Sequence, residues 1–119
     1  MQEFNFSYDK ENDDLIIYNS KSKSKGSVEF GDLILDYNSK KELVGVQLMN
    51  ASSMIKDMSN KDIKLVKEIL LNLESCKIES KQRNNMLIVR IQIVSDKKEL
   101  TSAISLPTIE KQSPSIAYT

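Results

Sequence analysis

Alternation of apolar and polar residues at every second position runs through most of this sequence and gives way to a helical period in one stretch. In "MLIVRIQIV" (86–94), Leu87, Val89, Ile91 and Ile93 fall on one face while Arg90 and Gln92 mark the other. Such a pattern fits a half-buried strand and cannot sit on a helix without scattering its apolar set. "EFNFSY" (3–8) places Phe4, Phe6 and Tyr8 on one side, and "LIIYN" (15–19) follows after the turn-rich "DKENDD". "SVEFGDLILDYN" (27–38) holds two β-runs around Gly31-Asp32, where an interior glycine suggests a bulge that changes the parity of the pleat. In "ELVGVQLM" (42–49), Val44, Val46 and Leu48 share one face. "CKIESKQ" (76–82) is a polar strand, and "ELTSAISL" (99–106) puts Leu100, Ile104 and Leu106 on one side.

The period changes in "SNKDIKLVKEILLNLES" (59–75). Ile63, Val66, Leu70 and Leu73 recur at spacings of three and four, Ile69 widens the stripe, and Leu71 lies off it. Ser59 suits the N-cap, with Asp62 three residues on. "SSMIKDM" before it has room for one helical turn or two. The expected fold is α+β, a mostly antiparallel sheet in the order ββββ-α-βββ with one main helix over about 60–73. A single domain over 1–106 is expected, followed by an extended or flexible tail over 107–119 that holds both prolines.

Function classes can be narrowed by what the residues supply. The chain has no histidine, so Ser-His and Cys-His pairs and an imidazole base are excluded. Cys76 is the single cysteine, which rules out an intrachain disulfide and, with no histidine, argues against a zinc site. Asp9, Glu11 and Asp13 alternate as calcium-loop ligands do, but the sixth position is Asp14 where glycine is needed and the twelfth is Ser20 where an acid is needed. Asp32 and Asp36 are close enough along one strand to suggest a carboxylate pair, and equally suited to turn hydrogen bonds. Gly26, Gly31 and Gly45 are too far apart for a phosphate loop. No catalytic residue, metal or cofactor is therefore expected.

Lysine and arginine balance aspartate and glutamate at 17 each, so no net field draws the chain to nucleic acid or to an anionic membrane. "SKSKSKG" (20–26) does align Lys21, Lys23 and Lys25 as a weak candidate for anion contact, with no interleaved aromatic to stack on bases. The opening "MQEFNFSYDK" has neither a basic start nor an apolar core, and the longest apolar run is far short of the ~20 residues that span a bilayer. A cytoplasmic location is the expectation.

"FSYDKENDDLIIY" followed by "GDLILDYNSKKELVGVQLMNAS" resembles the domain of unknown function 2283 family: Tyr-Asp, a short acidic turn, an apolar strand, an "ILDY" strand, then a "VG…NAS" element. The resemblance covers about residues 4–53, with 54–106 as an extension, and Gln47 stands where the family's usual acid would be. It implies fold and class but no activity. In the "VGVQLMNAS" element, Gly45 suggests close approach by an aromatic side chain or the helix, Asn50 a left-handed turn, and Ser52 or Ser53 a helix cap.

One helix of ~10 Å diameter cannot cover both faces of a sheet of about seven strands spaced ~4.8 Å apart. A homodimer is therefore expected, with Leu71, a sheet face or an edge strand at its interface. The functional expectation is a non-enzymatic, protein-binding accessory or regulatory module. The alternative is a nucleic-acid or small-anion binder acting through Lys21, Lys23 and Lys25.

Overall fold

The computed structural model describes residues 1–107; the expected tail lies, from residue 108, outside the described residues. Five strands come first: β1 (Gln2–Asp9), β2 (Asp14–Tyr18), β3 (Gly26–Phe30), β4 (Leu33–Tyr37) and β5 (Leu43–Leu48). Two short helices follow, α1 (Ala51–Ser59) and α2 (Ile63–Leu71), and then β6 (Ser75–Arg83), β7 (Met86–Ser95) and β8 (Lys98–Pro107). All eight strands form one sheet in the order β3-β4-β5-β2-β1-β6-β7-β8, and every pairing is antiparallel.

The expected order ββββ-α-βββ is corrected to βββββ-αα-βββ, a mainly β arrangement, and two local readings change with it. The Gly31-Asp32 step is a hairpin turn and not a bulge, so "SVEFGDLILDYN" forms two strands with Phe30 opposite Leu33 and Val28 opposite Leu35. Gly31 adopts φ +61°, which glycine enters without the penalty a Cβ imposes. The helix expected over 60–73 is present as α2, shortened to Ile63–Leu71, and the preceding segment read as one helical turn or two is a second helix of equal length, α1. The chain breaks at Asn60, which takes a left-handed conformation at the end of α1 while its N–H donates to the Lys56 carbonyl. Ser59 is consequently the last residue of α1 rather than a cap of α2, and its hydroxyl donates back to the Ile55 carbonyl. The N-cap position of α2 falls to Asp62.

The alternation seen in the sequence becomes one continuous apolar surface. Register places Val28, Leu35, Val46, Ile17 and Phe6 in one cross-strand row, and Phe30, Leu33, Leu48, Leu15 and Tyr8 in the next. Beyond β1, Cys76, Ile93 and Leu100 continue it, as do Ile78, Ile91 and Ser102. The helices contribute Ala51, Ile55, Val66, Ile69 and Leu70 to the same core. At roughly 1.5–3 kcal/mol for each large aliphatic side chain removed from water, this surface is the main source of stability.

β1 is the pivot of the sheet. Its first residues, Gln2–Phe4, pair with β6, and Asn5–Asp9 pair with β2, so no residue of β1 is paired on both sides. The two halves turn toward each other there. A cleft of about 400 Å³ is walled on one side by Tyr37 and Leu43 and on the other by Ser80, Gln82 and Leu87. No helix among the described residues is long and apolar enough to cross a membrane.

Candidate functional site

The polar group most deeply tied into this fold is Asp13. It sits at the end of the β1–β2 turn with φ +56°, a left-handed conformation that aspartate tolerates better than most residues. That twist points its carboxylate away from the turn and toward the start of α1. Tyr8 Oη donates to Oδ1 at 2.6 Å, and Ser52 Oγ donates to Oδ2 at 2.6 Å. The Ser52 N–H reaches both oxygens at 3.2 Å, and the Ala51 N–H donates to the Asp13 carbonyl at 2.8 Å. A carboxylate at a helix N-terminus also meets the favourable end of the helix dipole. Asp13 thus caps α1 from 39 residues away, and Asn50, left-handed at φ 50°, makes no side-chain cap of its own. The left-handed turn at Asn50 holds as read from the sequence; the cap assigned to Ser52 or Ser53 belongs to Asp13.

Tyr8, Asp13 and Ser52 line a cleft of about 250 Å³ together with Lys10, Lys67 and Leu71. Burial, then the hydrogen bond and charge of Asp13, hold the Tyr8 phenol protonated well above its ordinary range. A phenol so held donates a hydrogen bond and does not act as a nucleophile. Leu71 is 51% exposed at the cleft's rim, as its position off the helical stripe foretold.

The other acids of the turn stay outside. Asp9 accepts from the Glu11 and Asn12 N–H groups and from Asn12 Nδ2, and these bonds from Asn12 hold its carboxyl below the usual range. Asp9, Glu11 and Asp13 do not converge, and no cluster of three potential metal ligands occurs among the described residues. Asp32 and Asp36 also go separate ways. Asp36 accepts from Ser27 Oγ at 2.5 Å and Gln47 Nε2 at 3.0 Å, while Asp32 accepts from Asn50 Nδ2 at 3.3 Å. Gln47 is therefore a donor to Asp36.

Gly45 is buried opposite Tyr18 of β2, and its nearest approach comes from Asp36 and a backbone carbonyl, not from Phe4, Phe6, Tyr8 or a helix. A Cβ there would meet Asp36 Oδ2 at 3.0 Å and the Ile17 carbonyl at 3.2 Å. Cys76 is buried in the core, and desolvation pushes its thiol up to about 12, leaving it inert. Lys21, Lys23 and Lys25 all lie exposed in the β2–β3 loop. Of the three, Lys25 lines a cleft of about 130 Å³, with Lys41 as the second cation there.

Comparison with known proteins concerns the segment that carries this clasp. Residues 5–52 match the family described as protein of unknown function (DUF2283). The resemblance read over about 4–53 is thereby shown, and Tyr8, Asp13 and Ser52 all fall inside the DUF2283 segment. Over 47 residues the chain is 36% identical to an uncharacterized protein of Methanocaldococcus jannaschii, a stretch covering 40% of each chain. The chain thus spans about two fifths of that relative's length. No solved structure matches the chain. The DUF2283 segment runs from Asn5 within β1 through β5 to the first two residues of α1, and the clasp ties its two ends together.

Proposed function

We propose that this chain is a non-enzymatic, protein-binding module, an accessory or regulatory component that works in the cytoplasm as a homodimer. The observation that carries the reading is an apolar strip on the outer face of the sheet. Ile16 and Tyr18 stand two residues apart on β2, each 41% exposed. β2 is an interior strand, and Ile16 is in register with Gln47 of β5, which is opposite Ile34 of β4. The outer face of the other half carries the exposed Met86 at its end and polar pairs along its middle. There Arg90 pairs with Glu79 at 3.4 Å and Gln92 donates to Glu99 at 2.8 Å. An isoleucine and a tyrosine exposed side by side, bounded by polar rows, make a surface suited to a protein partner, where tyrosine is among the residues that most often anchor binding.

The clasp supports the non-enzymatic part of the reading. Its carboxylate is committed to Tyr8, Ser52 and the start of α1, so its evident work is to fix the turn against the helix. The test is affinity capture with the full chain and with Ile16→Asp/Tyr18→Asp. A protein retained by the wild type, lost by the double variant and rebound as a purified recombinant partner supports the reading. If every captured protein binds both forms equally, the strip is not the binding surface and the proposal falls.

A further inference from the structure

We propose that the outer edge of β8 is the self-association site, where it adds in antiparallel fashion to β8 of a second copy across a two-fold axis. The inference rests on the homodimeric part of the reading above and supplies its interface. β7 and β8 are joined by Asp96 and Lys97, both at positive φ, in a two-residue turn closed by Ser95 opposite Lys98. In such a hairpin the closing pair exchanges both backbone bonds, and bonded pairs recur at every second residue. The even-numbered residues of β8 therefore bond to β7, while Glu99, Thr101, Ala103 and Ser105 direct their N–H and C=O groups outward. Among the described residues none of these outward groups has a hydrogen-bond partner.

Sheet edges are ordinarily blunted by short length, charge, bulges or proline. The opposite edge, β3, conforms: it has five residues, carries Glu29 and begins at Gly26, whose carbonyl accepts from Ser24 Oγ. β8 does not conform. It has ten residues, pairs with β7 without a register shift, and is uncharged from Leu100 to its end at Pro107. Past Glu99 at the turn end, its outward residues are Thr101, Ala103 and Ser105, all exposed and small enough for close approach.

The chemistry of the edge favours a second copy as the occupant. Two uncharged edges of a chain with zero formal net charge meet without like-charge repulsion. A two-fold perpendicular to the sheet keeps the inner faces together, so the apolar surface of Leu100, Ile104 and Leu106 continues into that of the mate. Such a two-fold pairs odd residues with odd ones and even with even, which sets the axis on a residue. Ser102 and Ala103 are at the middle of the strand, and in either register the two Ala103 side chains lie on the axis or one residue from it.

The experiment is light scattering of the full chain over a micromolar concentration series, for the wild type, Ala103→Lys, Ala103→Glu, Ala103→Thr and an equimolar mixture of the Lys and Glu forms. The expected result is a dimeric wild type and Thr variant, at least tenfold weaker association of the Lys and Glu variants alone, and recovery of dimer in the mixture. Recovery by opposite charges reports that position 103 of one copy meets position 103 of the other, which a folding defect would not mimic. Leu71→Asp tests the rival interface: it leaves the mass unchanged if β8 is the site, and loss of the dimer in it would overturn the β8 interface. A dimer indifferent to charge at 103 would overturn the β8 interface while leaving self-association standing. A monomer at the highest concentration would overturn both.

Discussion

Gly45→Ala addresses a close approach between neighbouring strands in the DUF2283 segment. The added Cβ would lie 3.0 Å from Asp36 Oδ2, 3.2 Å from the Ile17 carbonyl oxygen and 3.3 Å from Asp36 Cβ. The carbonyl belongs to β2, which is paired directly with β5 at this point, so it cannot retreat without disturbing the ladder. The carboxylate is held at Oδ1 by Ser27 and at Oδ2 by Gln47. Overpacking of this kind costs about 1–3 kcal/mol. Replacing a strand glycine returns roughly 0.5–1 kcal/mol by reducing the freedom of the unfolded chain. The net expectation is a loss of about 1 kcal/mol, or a thermal midpoint lower by roughly 4–8 °C on the scale of small domains. Urea unfolding followed by circular dichroism measures it, since the chain has no tryptophan. Asp36→Ala supplies the decisive comparison. With the Asp36 side chain cut back to Cβ, the carboxylate contact vanishes, and the two changes should couple by about 0.5–1 kcal/mol. A Gly45→Ala protein as stable as the wild type, or simple additivity with Asp36→Ala, would refute the reasoning.

Asp13→Asn keeps the turn and one acceptor but loses the charge at the start of α1, and should cost about 1–2 kcal/mol by chemical denaturation. Tyr8 and Cys76 are both raised above their ordinary values of 10.0 and 9.0, so the folded chain holds these protons more tightly than the unfolded one. Their contribution is intact below about pH 9 and is lost as pH rises past the unfolded values, so thermal midpoints should fall above pH 9, and less steeply in Tyr8→Phe. Asn60→Gly, at a left-handed position ending α1, should raise stability by about 0.5 kcal/mol, visible as a higher urea midpoint. Replacing Lys21, Lys23 and Lys25 with Ser should leave retention on DNA or RNA unchanged, because the wild type is expected to show none at physiological salt; salt-sensitive retention lost in the variant would favour the anion-binding alternative.

Alternation made most of the sheet legible. Leu87, Val89, Ile91 and Ile93, and likewise Leu100, Ile104 and Leu106, face the core as their period requires, because a one-residue slip would have turned the whole set to solvent. What alternation could not settle was the punctuation. A glycine between two β-runs fits a bulge and a hairpin turn equally well until the pairing of Phe30 with Leu33 is seen. The extent of the helices is ambiguous in sequence for a similar reason. "SSMIKDM" is too short for its period to tell one turn from a full helix, and the end of α1 depends on Asn60 accepting a left-handed conformation that its composition permits but does not demand.

The clasp was illegible for a different reason. Four acids crowd the segment 9–14, and local chemistry gives each the same turn-forming capacity. Which of them leaves the turn is decided by Ser52, far along the chain, and by the pairing of β1 with β2 that sets Tyr8 opposite Leu15. A long-range hydrogen bond leaves no periodicity behind it. The same holds for Gly45, whose close neighbour is an aspartate on the adjacent strand and not one of the aromatics that sequence reasoning favours for such a contact. In both cases a polar side chain that looked free to bind a ligand is committed to holding the backbone. The proposed recognition surfaces are therefore the apolar strip of β2 and the edge of β8, whose outward backbone groups have no hydrogen-bond partner among the described residues.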